Sequence, residues 1–330
     1  MNVPRTISLA TALFLLGIGL AASQTRAQNR STVEDTSRAA GPIIDMHLHA
    51  HSPERFPSAE PLTGIKTPET TAEVRNRTIQ RLRQHGVVQA FTSGRHVDRY
   101  QEAAPRRIVE GCGASADPTE QQLDSLRALI TERDCEFIGE LGYQYAGIPP
   151  DDPSIEPVFA LAESLDVPLG IHVGLGPPGV AYEKSDLPFT APEYRMKHSN
   201  PLLLEDVLVE HPDLRLYVMH AGWPMLDELI GLLYAHSQVY VDVAVINWVL
   251  PRAEFHRYLR RIVEAGFGDR VMYGSDQMVW PQSIGKSIEA IRSVPFLSEE
   301  QKRDILYNNA ARFLGLSDET IARHHEMAAQ

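Results

Sequence analysis

The sequence predicts a single-domain α/β fold, the (β/α)8 TIM barrel, and three observations predict it. From Pro42 onwards, short apolar or β-branched runs alternate with amphipathic helical segments, as a parallel sheet with helical crossovers requires. Eight such units follow one another. They occupy roughly 250 residues, the length a closed barrel of this kind takes. An open, doubly wound sheet is the runner-up.

Composition sets the outer bounds. The 330 residues suit one large α/β domain or two small ones, and 43% hydrophobic content supplies a core. A net charge of -12 weighs against a nucleic-acid partner, because such binding depends on neutralising phosphates with Lys and Arg.

In chain order, residues 1–27 read as a secretory signal: Arg5 is a sparse positive start, Ile7 to Ala22 is almost wholly apolar, and small residues follow. That run is short and poorly flanked for a membrane span, although an uncleaved anchor is the alternative. Cleavage near Ala22 or Ala27 would leave a periplasmic or secreted protein with no membrane contact, starting with a polar, flexible leader over residues 28–41. The barrel then covers residues 42–316 and a tail covers 317–330.

After the first strand, Thr67-Pro68-Glu69 opens a helix reaching His85-Gly86, with a capping Thr, Pro in the first turn and Gly at the end. Later strands are predicted at Val87–Thr92, Arg107–Gly113, Phe137–Tyr143, Pro168–Gly174, Leu214–Gly222, Val239–Val245 and Arg270–Asp276. Helices separate them, and Ser298–Leu316 forms one that packs on the barrel. The two cysteines, Cys112 and Cys135, are read as buried thiols, with a bridge as the alternative.

The first strand ends in Asp45-Met46-His47-Leu48-His49. Alternation puts Asp45, His47 and His49 on one face and Met46 and Leu48 on the other. Two imidazoles so spaced can converge on a divalent metal such as zinc; exposed or hydrogen-bonded histidines are the competing reading. In a barrel the catalytic groups sit at the carboxyl ends of strands, and there the sequence offers Glu140, His172, His220 and Asp276 as well. Each alone reads more readily as a satisfied core residue than as a ligand. Together they form a ring of polar groups that is costly to bury unless hydrogen-bonded or metal-bound.

With these residues the chain resembles the amidohydrolase superfamily, in particular its amidohydrolase-related branch: Asp45-Met46-His47-Leu48-His49 on strand one, His172 on strand five, His220 on strand six and Asp276 on strand eight. The resemblance spans nearly all of Pro42 to Leu316. Many members with two metals carry a carboxylated Lys on strand four; here Glu140 stands in that place, similar to the TatD-like branch. The resemblance implies His47, His49 and Asp276 on one ion, His172 and His220 on another, and Glu140 bridging both. The one-ion alternative makes His220 an acid or base. It further implies metal-assisted hydrolysis with Asp276 as proton carrier, and Asp45 beneath the pair as an orienter of His47 or His49.

Gly174-Leu175-Gly176-Pro177-Pro178-Gly179 matches the dinucleotide fingerprint as text only, since its prolines cannot donate to phosphate and no helix opens directly after it. It starts an insertion to Asn200 that is expected to cover the mouth. Trp223, Trp248 and Trp280 follow strands six, seven and eight and suggest an apolar or ring-bearing small-molecule substrate, with ordinary loop packing as the alternative; Arg95 after strand two is the best candidate to bind a substrate carboxylate, with a helix-facing salt bridge an equal alternative. The leading expectation is an exported hydrolase of an amide, ester or lactone, using one or two zinc ions, as a monomer or a homo-oligomer. A metal-dependent decarboxylase and a non-catalytic metal- or ligand-binding barrel are the alternatives.

Overall fold

The computed structural model describes residues 41–184, 187 and 189–330, so the expected signal segment and all but the last residue of the leader lie outside the described residues. Among the described residues, eight parallel strands pair in sequence order: β1 (Ile43–His49), β2 (Val87–Ser93), β3 (Ile108–Cys112), β4 (Phe137–Leu141), β5 (Leu169–His172), β6 (Leu216–Met219), β7 (Tyr240–Asp242) and β8 (Val271–Met272). Between them run α1 (Thr71–Gln84), α2 (Val97–Ala103), α3 (Glu120–Thr131), α4 (Glu156–Ser164), α5 (Glu205–Glu210), α6 (Leu226–Ala235), α7 (Ile246–Val249) and α8 (Arg252–Ile262). After β8 come α9 (Gln282–Arg292), α10 (Glu299–Arg303), the π-turn Asp304–Asn308, α11 (Asn309–Phe313) and α12 (Asp318–Ala329). None of the described helices is long and apolar enough to cross a membrane.

Alternation along the strands builds two cores. On β6, Leu216 and Val218 face outward into a cluster shared with helix residues such as Leu229, Phe255 and Leu259. Tyr217 and Met219 face inward, joining Ile44, Val88, Phe91, Phe137 and Met272. Tyr307 and Phe313 of the closing segment and Met327 of α12 pack into the same inner cluster, so the residues after 317 are part of the folded body. Tyr217 lies fully buried there, its hydroxyl donating to the Met46 carbonyl at 3.0 Å.

β8 meets β1 through single bonds: Met46 N donates to Tyr273 O (2.9 Å) and Asp276 N to His47 O (2.7 Å). Asp45 Oδ1 accepts from Ser275 N (2.8 Å) and His47 N (3.1 Å) at the same seam. Two expectations for β1 therefore change. Its pairing with β2 shifts register between Asp45 and Leu48, so Met46 packs in the inner cluster and Leu48 in the outer one rather than sharing a face. And Asp45 holds backbone amides, not an imidazole.

Two further expectations are corrected. Helix α1 starts three residues later than predicted, capped by Thr70 accepting from Glu73 N; Thr67 is instead fixed by accepting the Trp280 indole N–H at 2.8 Å. Cys112 and Cys135 are bridged, not free: Gly111 pairs with Phe137, which draws the chain before β4 alongside the end of β3 and sets the two Cα atoms 5.8 Å apart.

Candidate metal centre

Each ligand-type side chain named above reaches the same mouth. β1 supplies His47 and His49, β4 supplies Glu140 and β5 ends on His172, while His220 directly follows β6 and Asp276 lies just beyond β8. All are buried except Glu140, which keeps a little exposure. His47 Nε2 and His49 Nε2 lie 3.2 Å apart, and Asp276 Oδ1 lies 3.2 Å from the second and 3.9 Å from the first. Across the cluster, His220 Nε2 is 3.2 Å from His172 Nδ1. Glu140 stands between: Oε2 is 3.7 and 3.3 Å from the Nε2 atoms of His47 and His49, while Oε1 contacts His172 Nδ1 and lies 3.5 Å from His220 Nε2.

The local backbone is bent to deliver these groups. His220 (φ 60°) and Asp276 (φ 45°) both sit in the left-handed region, as does β-branched Val245 (φ 56°). Such residues cost about 1–3 kcal/mol each and persist where the surrounding fold over-determines them. Gly274 is required for closeness: a Cβ there would come within 2.8 Å of His47 Cβ. A Cβ on Gly174 would likewise stand 2.8 Å from His220 Cβ.

Hydrogen bonds on the far side of the rings decide which nitrogens carry lone pairs. His47 Nδ1 donates to Asp242 Oδ2 at 3.0 Å, and Asp242 Oδ1 accepts from the backbone N–H of His220 and Ala244, each at 2.9 Å. His220 Nδ1 donates to the Ala244 carbonyl at 3.1 Å. In their neutral, ligand-competent form both rings therefore turn an unprotonated Nε2 into the cluster. His49 Nδ1 pairs with Ser93 Oγ at 3.0 Å.

This donor set fits a divalent cation. His47 Nε2, His49 Nε2 and Asp276 Oδ1 lie within 4.8 Å of one another, as do ligand atoms of His47, Glu140 and His220. Ligands about 2.0–2.1 Å from a tetrahedral ion stand about 3.3 Å apart, close to the separations seen. Asp276 Oδ1 is buried without an aligned donor. Burial pushes the His49 imidazole down, but Asp276 and Glu140 outweigh it and raise its pKa to about 9. Burial raises the Glu140 carboxyl, yet His172 and His220 hold it well below the usual range. For Asp276, His47 and His49 overcome burial and bring the pKa to about 2. Ionised carboxylates buried among imidazoles call for positive charge.

A cavity of about 120 Å3 opens onto His172, His220 and Asp276. Trp248 and Trp280 line it, together with Tyr145 and Phe56, which the sequence did not single out. The 174–200 insertion contributes Leu175, Pro177 and Phe189 to its wall. Two expected substrate contacts fall elsewhere. Arg95 is exposed on the turn after β2 and does not line the cavity, and Trp223 turns its indole N–H to Glu254 Oε1 at 3.3 Å. His51 is stacked on His49 with ring centroids 4.7 Å apart, a partner the sequence did not reveal. Asp242 is the functional residue sequence reasoning missed; its signal is a carboxylate at an inward position of an apolar strand.

A family model described as amidohydrolase matches residues 44–316. Among solved structures, a probable 2-pyrone-4,6-dicarboxylic acid hydrolase from Acinetobacter baumannii, with citric acid bound, superposes with a TM-score of 0.59 at 17% identity, covering 83% of this chain and 99% of its own. A 5-carboxyvanillate decarboxylase from Novosphingobium aromaticivorans, complexed with manganese, gives 0.60 at 14% identity, covering 84% and 96%. At these identities the likeness concerns the fold. Protein fluG of Emericella nidulans is 22% identical over 162 residues, 49% of this chain and only 16% of that protein.

Proposed function

The chain belongs to the amidohydrolase family and is a metal-dependent enzyme, and we propose that it hydrolyses an amide, ester or lactone bond of a small molecule. The observation that supports this best is the His47, His49 and Asp276 triad, whose ligand atoms lie within 4.8 Å of one another, with His47 oriented from behind by Asp242. A divalent ion held there, zinc in this reading, would polarise the scissile carbonyl and bring the pKa of an attacking water to about 7. Asp276, kept ionised, takes the proton of the attacking water and returns it to the leaving group. His220, fixed by Ala244, would be a ligand of a second ion beside His172, and Glu140 spans the two sides of the cluster. Burial keeps the Tyr145 phenol protonated, so it can donate to a substrate oxygen.

Decarboxylation is the second reading, favoured by the decarboxylases among the structural neighbours. Turnover of an ester, lactone and carboxylate panel by metal-depleted and reloaded protein, with carbon dioxide measured alongside hydrolysis product, separates the two. Metal-independent turnover would overturn both. We further propose that the protein is exported; the Cys112–Cys135 bridge supports this, since disulfides persist in oxidising compartments. Amino-terminal sequencing of exported material is expected to show a start between about residues 22 and 30.

A further inference from the structure

Among the described residues, no Lys or Arg lines the wall of the cavity beyond the metal cluster. Of the aromatic groups that form it, Tyr145 stands at the cluster end with its ring centroid 5.1 Å from that of His172, and the indoles beyond it have no free donor. Trp248 Nε1 is spent on the Ser275 carbonyl at 2.7 Å and Trp280 Nε1 on Thr67 Oγ1 at 2.8 Å, so both present ring faces. Phe56 stands edge-on to Trp280 with centroids 5.5 Å apart, which holds the two rings at a fixed tilt in the wall. The one carboxylate in the wall, Glu60, is turned into its own loop, accepting from Leu62 N and from the Thr63 hydroxyl. Its charge makes the wall less hospitable to an anion. At about 120 Å3 the space compares with the roughly 150 Å3 apolar cavity that holds one benzene molecule.

We propose that the substrate offers this wall an uncharged, apolar body of about one ring, and that a carboxylate remote from the reacting carbonyl is excluded. A carboxylate moved from water against these faces would lose its hydration and find no cation or donor in exchange. Recognition then rests on apolar area and aromatic contact, with polar chemistry confined to the cluster end. The inference rests on the metal-dependent reading above.

The test compares 4-methylbenzohydroxamic acid with 4-carboxybenzohydroxamic acid by calorimetry on metal-loaded protein, without turnover. The two share a metal-binding head and differ only at the far end of the ring. The methyl compound is expected to bind tighter by roughly tenfold or more. Leu62→Lys, which places a cation at an exposed position of the cavity rim, is expected to raise affinity for the carboxy compound and leave the methyl compound nearly unchanged. Equal or tighter binding of the carboxy compound by the wild type, or no binding of either to a fully loaded centre, would overturn the substrate class and leave the metal reading standing. A protein that takes up no metal at all would instead bring down the reading on which it rests.

Discussion

On the β1–β8 side of the cluster each ligand is held from behind. His47 is tied to Asp242, His49 to Ser93, and Asp276 to the seam by its own amide. On the β5–β6 side the support is thinner: His220 is tied to a carbonyl, but His172 meets Glu140 through Nδ1 and leaves a buried Nε2 with no partner. A ligand backed by a carboxylate is more basic and better oriented than one backed by a carbonyl or by nothing. The difference teaches that the two halves are not equivalent. The first is the better preorganised, so it is expected to fill at lower metal concentration, and the second, completed by Glu140, is expected to fill after it.

The largest expected effect comes from Asp276→Asn. It removes the proton acceptor, so turnover falls by about 10²–10⁴-fold while His47 and His49 retain much of the metal, as kinetics and metal analysis on one preparation will show. Comparable turnover would take Asp276 out of the chemistry.

Asp242→Asn comes next. With its oxygen still accepting from the amides of His220 and Ala244, the substituted side chain must turn its NH2 towards His47 Nδ1 and drive the ring proton to Nε2. Affinity for the first ion is expected to fall by about 10–100-fold in chelator competition, with the second little altered. An equal loss at both sites would erase the distinction between the halves. Ser93→Ala, which removes a neutral hydrogen bond worth about 1 kcal/mol, is expected to weaken the first ion by only a few-fold.

The smallest effect on metal is expected from the opposite end of the barrel. His324 is buried against Tyr307, its Nδ1 3.0 Å from the phenol oxygen, and burial with the nearby Arg323 lowers its pKa to about 4. Between pH 6.5 and 4 the unfolded chain therefore binds the extra proton, so stability falls as pH drops through that window, by about 1–2 kcal/mol at pH 5. His324→Gln is expected to flatten this dependence in thermal melts and to leave metal affinity unchanged. A drop in metal affinity would mean that general loosening of the barrel, not ligand support, governs the centre.

Strand ends were legible because titratable residues there interrupt otherwise apolar runs, which is how His47, His49, Glu140, His172, His220 and Asp276 stand out. Asp242 did not stand out, because the apolar run continues to Val245 and hides the fact that β7 ends at the carboxylate. Arg95 shows another limit: sequence places it after a strand, but the direction of a side chain on a turn is set by tertiary packing. Thr67 does not cap α1 because contacts distant in sequence or outside the helix, with the Trp280 indole and the Pro57 carbonyl, occupy it. The cysteine bridge depends on the β3–β4 register, which local patterning does not encode.

The unequal halves and their joint dependence on Glu140 are tested most directly by counting ions. Wild-type protein and Glu140→Gln are depleted, loaded identically with zinc or manganese, and measured by elemental analysis. Glu140 faces all four histidines, so if two cations bind, its neutralisation would leave less negative charge between them. The account predicts about two ions per chain in the wild type and about one in the variant, the one at His47, His49 and Asp276 being kept. One ion in the saturated wild type, unchanged by the substitution, would contradict it.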